Sequence, residues 1–271
     1  MLLRSRTIRA LAVLFAGLNG LACSTPRTDD QQRIRELAEE VRLGRGIAAS
    51  LLGKYKLDRS RPAQSRYIAT VGTYLAQQYG RPELEFRFAI LQDGPVNAYA
   101  CPGGLIFLTR ALVNKLGSED ELIAVLVHEI AHVNLGHVYK KLRRPREVSF
   151  GATLSRMLSQ GGGELGFALG EAVKAGFELL TSEGLGPKLE GEADEAALSY
   201  ALATGTDGGA LYRFLAKTAD SQKDLPKSHP RLDERLSQID RWWLANAGRS
   251  ASQSKEPAQR KARFKERMAA R

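Results

Sequence analysis

The sequence predicts a single α+β domain, mainly helical with one small β-sheet, and three observations carry that expectation. Apolar residues recur at helical spacing over most of the chain. Residues 84–91 instead alternate apolar and polar side chains, and two further runs, 96–101 and 105–110, follow the turn signals Asp93-Gly94-Pro95 and Pro102-Gly103-Gly104. A chain of 271 residues with 43% hydrophobic content buries one sizeable core rather than two.

The first 22 residues, MLLRSRTIRALAVLFAGLNGLA, place three arginines and no acid before a short apolar run, which reads as a secretory signal. That run falls short of the roughly 20 residues a helix needs to cross a bilayer, so the mature chain should lack a transmembrane helix. Cys23 directly follows Ala22, which is similar to the site where bacterial lipoproteins are cleaved and acylated. A lipid anchor at Cys23 is one outcome, and simple cleavage to a soluble periplasmic protein is the other. One acyl chain alone would hold the membrane only marginally.

Residues 29–52 repeat Ile34, Leu37, Val41, Ile47 and Leu51 at helical intervals, and residues 64–79 do the same with Ile68, Val71 and Leu75. Three strands follow, over 84–91, 96–101 and 105–110, expected to pair as hairpins. Ser118 and Glu121 have capping-box spacing, so a helix should open there and run to about His137 or beyond. The glycine-rich residues 151–186 suit either a mobile lid or a helical packing element. Later helices are expected over 189–203, 208–219 and 231–245. The domain should therefore span residues 29–247, leaving 248–271 as a basic, disordered tail. Attraction of that tail to anionic lipid is the sharper alternative.

The net charge of +10 invites a nucleic-acid reading until it is mapped along the chain. Residues 1–22 carry three of the surplus positive charges and residues 249–271 carry six, which leaves the middle near neutral. No nucleic-acid face is implied. The two cysteines, Cys23 and Cys101, provide no disulfide framework if the first is acylated, and Cys101 reads as a small buried residue.

The chemistry is concentrated in VLVHEIAHVNLGH, residues 125–137. His128 and His132 are four apart and share a helix face one turn apart, with Glu129 beside the first. This HExxH pattern supplies two zinc ligands and a carboxylate that can take a proton from a water. As plain core residues they would each cost about 1–3 kcal/mol if unpaired among the surrounding Ile and Val side chains, a cost a metal relieves. A catalytic zinc usually has three protein ligands. In KLEGEADEAA, Glu190 and Asp194 are again four apart and share a face, so one can bind metal while the other accepts a ligand histidine's ring N–H. Glu192 should point away.

HEIAHVNLGH together with EGEAD resembles metallopeptidase family forty-eight, the gluzincin group that includes HtpX-type heat-shock proteases and CAAX-prenyl proteases. VNAYACPGGLIFLTRALV and SHPRLDERL extend the resemblance to residues 41–239. It implies a zincin-like fold and one zinc per chain held by His128, His132 and Glu190, with Glu129 as general base and Asp194 behind the ligands. His229 could steady a developing oxyanion, occupy the open coordination position and silence the site, or be structural; Arg235 could pair with a carboxylate near the site. The segment Gly103, Gly104, Leu105 and Ile106 is the candidate edge for an extended substrate. Without membrane spans the chain looks like the secreted, lipoprotein-like bacterial branch. Its expected role is cleavage of unfolded or misassembled envelope proteins in the periplasm, and the alternative is an assembly factor with a latent or structural zinc site.

Overall fold

The computed structural model describes residues 28–143, 163–219, 232–246 and 258–270. The export segment, Cys23 and His229 lie outside the described residues.

Helix α1 (Thr28–Tyr55) and α2 (Pro62–Tyr79) precede the strands β1 (Arg87–Leu91), β2 (Ala98–Cys101) and β3 (Leu105–Thr109). β3 lies in the middle of the sheet, antiparallel to β2 and parallel to β1. Only β2 and β3 therefore form the expected hairpin. β1 reaches β3 from the far side, because a parallel neighbour is chosen by packing and not by the next turn in the chain. The hairpin turn depends on Gly103 and Gly104, at φ +79° and +97°, a conformation that costs glycine nothing. Helix α1 crosses that turn so closely that a Cβ on Gly44 would sit 1.6 Å from the Pro102 carbonyl oxygen.

Alternation along the strands sends side chains to opposite faces. Ala98, Ala100, Ile106 and Leu108 join Ile68 and Leu75 of α2 in one apolar cluster. Tyr99, Cys101 and Phe107 join Leu43, Ile47 and Leu51 of α1 in the other. The sheet is thus held between two helical layers, each fully buried large side chain contributing roughly 1.5–3 kcal/mol.

After the short α3 (Arg110–Lys115), helix α4 (Glu119–Asn134) runs through the larger cluster, burying Leu122, Leu126 and Ile130. The Ser118 hydroxyl accepts from the Glu121 N–H at 3.2 Å, as the capping box requires. The Glu121 carboxylate departs from that motif, accepting instead from the Gly117 N–H at 2.7 Å and from Lys217. Helix α4 also stops sooner than periodicity implies. Gly136 adopts φ +65°, and a separate helix α5 (His137–Arg143) begins beyond it. The stretch 119–143 is apolar enough to cross a membrane by composition, yet most of it is buried inside the protein.

Helix α6 (Gly163–Glu178) packs along α1 and continues into a π-helical turn (Leu179–Glu183), so the described part of the glycine-rich segment is a packing element. Helices α7 (Pro187–Thr204), α8 (Ala210–Ala219) and α9 (Leu232–Asn246) follow. α7 lies against α4, and α9 lies against both α7 and α8.

The tail departs from expectation. Residues 258–269 form helix α10 (Ala258–Ala269), seated on α2 and α4 with Phe264 buried. Two of its cations have acidic partners: Arg263 reaches Glu119, and Arg260 reaches Asp120. Tyr67 also donates to Glu119. Buried Glu119 and Asp120 in the first turn of α4 complement its dipole, and α10 neutralises both. Phe264→Ala should lower stability by about 3 kcal/mol in urea unfolding. A free tail would show no change.

Candidate active site

Three elements converge on one buried cluster. Helix α4 presents His128, Glu129 and His132, α7 presents Glu190 and Asp194, and α9 contributes Arg235; all six are buried. The four-residue spacings put each pair on one helix face, and the packing of α7 on α4 turns those faces toward each other.

The donor atoms lie close together. His128 Nε2 and His132 Nε2 are 3.0 Å apart, Glu190 Oε2 is 3.4 Å from the first, and Glu190 Oε1 is 3.8 Å from the second. Ligands at zinc's usual 2.0–2.2 Å in a tetrahedron stand about 3.3 Å from one another. The separations straddle that value, and two imidazoles with one carboxylate form a donor set suited to zinc. Among the described residues, His128, His132 and Glu190 form the group able to hold a metal ion.

The electrostatics also call for a cation. Burial opposes charge on His128, yet Asp194 and Glu190 beside it push its pKa up to about 9. Burial would raise the Asp194 carboxyl, but the Arg235 guanidinium and His128 hold it down at about 2. Arg235 donates to Asp194 through Nε at 2.9 Å and Nη2 at 2.6 Å, and its Nη1 lies 3.4 Å from Glu190 Oε2. Desolvation disfavours the buried guanidinium, and Asp194 and Glu190 more than restore its proton affinity. Asp194 Oδ1 is 3.0 Å from His128 Nδ1, the placement that fixes the ring with Nε2 toward a metal.

Glu129 is buried between the two histidines on α4, and its charge is felt by Arg235 and Cys101. Burial, reinforced by Glu129, pushes the Cys101 thiol well above its ordinary range, which rules out a nucleophilic thiolate. The substrate-strand expectation needs correcting. Gly103 and Gly104 form the turn, while Leu105 pairs with both Arg87 and Cys101, and Ile106 with both Phe88 and Ala100. A central strand offers no edge. Among the described residues, the sheet edge beside α4 is β2.

Glu192, which spacing turns away from the site, meets His137 in the structure. His137 Nδ1 lies 2.7 Å from His132 Nδ1, and Glu192 Oε2 lies 3.2 Å from His137 Nε2. Burial keeps the His137 ring below its ordinary pKa of 6.5 even beside Glu192. On one continuous helix, His137 would stand about 140° around the axis from His132. The turn at Gly136 removes that separation, and the glycine in NLGH was the signal for it.

A helix-borne HExxH, a buried carboxylate beside it from a second helix and a small mixed sheet define a zincin-like metallopeptidase domain. Sequence comparison is specific about which kind: the chain belongs to peptidase family M48, whose profile matches residues 62–243. It is 29% identical over 189 residues to the β-barrel assembly-enhancing protease of Yersinia pestis, covering 65% of this chain and 38% of that one. It is 25% identical over 212 residues to a mitochondrial metalloendopeptidase of Schizosaccharomyces pombe, covering 75% and 60%. Metalloprotease LoiP of Escherichia coli is 26% identical over 186 residues, covering 66% and 71%. The chain spans about two fifths of the length of the β-barrel assembly-enhancing proteases it matches.

Arg235→Met should cost about 3–5 kcal/mol, because it leaves Asp194 charged and buried without its partner. Adding Asp194→Asn should recover part of that loss in urea unfolding. An equal loss in the double variant would mean that Arg235 acts by packing alone.

Proposed function

We propose that this protein is a zinc-dependent endopeptidase. The observation that carries the reading is the donor triad of His128, His132 and Glu190 with the buried Glu129 next to the first histidine on α4, a carboxylate that a purely structural metal site has no use for. Held by His128, His132 and Glu190, a zinc ion would supply Lewis acidity for water attack on the scissile carbonyl. Glu129 accepts the water's proton and hands it to the leaving amine, the two-way transfer expected of a buried carboxylate beside the ligands. Asp194, clamped by Arg235, holds the His128 ring in register.

An extended substrate is held through backbone hydrogen bonds, which make few demands on sequence. Broad action on unfolded chains follows from that mode of binding. The substrates are misfolded or misassembled cell-envelope proteins. Two things support this: the leader-like residues 1–22 with Cys23 at their end, and a relative whose name ties it to β-barrel assembly. The protein is exported to the periplasm and held at the membrane by acylation of Cys23. His229 serves the site from residues beyond those described, as an oxyanion donor or as a removable fourth ligand.

Glu129→Gln should retain zinc and lose at least about a hundredfold in turnover. Cleavage of an unfolded protein by chains lacking residues 1–22, compared at equal zinc content, measures this. A variant that still cleaves at the wild-type rate removes Glu129 from the reaction.

A further inference from the structure

The two histidine ligands are supported unequally by the contacts so far assigned. His128 has Asp194 behind it, itself clamped by Arg235. Behind His132 stands another imidazole, that of His137, and behind His137 a carboxylate, Glu192.

The proton positions in this chain follow from one another. With His132 Nε2 in the donor triad, the single proton of its neutral ring sits on Nδ1. His137 Nδ1, 2.7 Å away, must then accept, which places the His137 proton on Nε2. That nitrogen points at Glu192 Oε2, 3.2 Å distant, and an ionised carboxylate is purely an acceptor. Every donor meets an acceptor in one direction only, and reversing any ring breaks the sequence. His137 is buried, whereas the Glu192 side chain is 41% exposed, so the relay runs from the buried site to the protein surface.

We infer that His137 and Glu192 are positioning residues for the metal ligand His132, the counterpart of Asp194 for His128. The three acids of Glu190-Gly-Glu-Ala-Asp194 then have three separate tasks: Glu190 in the donor triad, Asp194 behind one histidine, and Glu192 behind the other through His137. The glycine at 136 belongs to the same device, since its positive φ is what folds α5 back so that His137 meets His132.

The inference rests on the zinc reading above, and the test separates the two. Zinc affinity is measured on the full chain by competition with a chromophoric chelator. Glu192→Ala should weaken zinc binding about tenfold or more, as loss of such a supporting partner does. Glu195→Ala removes an exposed acid from the same helix and should leave affinity unchanged. His137→Asn keeps an acceptor for the His132 ring proton and should lose less than His137→Phe. In either His137 background Glu192→Ala should have no further effect. Wild-type affinity in Glu192→Ala, or an undiminished Glu192 effect in the His137 variants, overturns the relay while leaving the zinc site standing. A wild-type chain that binds no zinc overturns both.

Discussion

The packing of α7 on α4 is the contact on which the rest of the structure depends. It brings two histidines and two carboxylates into an interior that would otherwise expel them, because an unpaired buried charge costs several kcal/mol. Each group is tolerated through its neighbour: Asp194 through Arg235, His128 through Asp194, and His132 through His137. The cluster is consequently an all-or-none arrangement. Removing one member strands the next, which is why the helix carrying Arg235 belongs to the site as much as the helix carrying the histidines.

The surrounding fold holds that contact in place from both ends of α4. At its N-terminus, three buried carboxylates face the positive end of the helix dipole and are met by Arg260, Arg263 and Lys217 from α10 and α8. At its C-terminus, the glycine turn redirects the chain so that α5 supports the helix it has just left. The sheet, buried on both faces, sets the third side and leaves β2 as the strand beside the site. A helix braced at both ends keeps His128, Glu129 and His132 in fixed relation, as the proposed zinc chemistry requires.

What could be read from the sequence was local. HExxH and ExxxD have helical spacing, so a common face for His128 and His132 and for Glu190 and Asp194 follows from 3.6 residues per turn, and the Ser118 cap was equally visible. The features that were missed depend on contacts distant in sequence. A strand after a turn reads as the next hairpin arm, yet β1 pairs with β3 in parallel, which puts β3 in the middle of the sheet and β2 at its side. A basic tail has the same composition whether solvated or docked; only the acids on α4 decide for docking. Glu192 lies off the face of Glu190 and Asp194, as spacing requires, and still joins the site because α5 folds back to meet it.

In the proposed reading α4 and α7 together build one zinc site. Anomalous scattering on either side of the zinc absorption edge, from crystals grown with the metal, tests this most directly. A single strong peak enclosed by His128 Nε2, His132 Nε2 and the Glu190 carboxylate is the expected result. A peak elsewhere, or none with those side chains ordered, would contradict it.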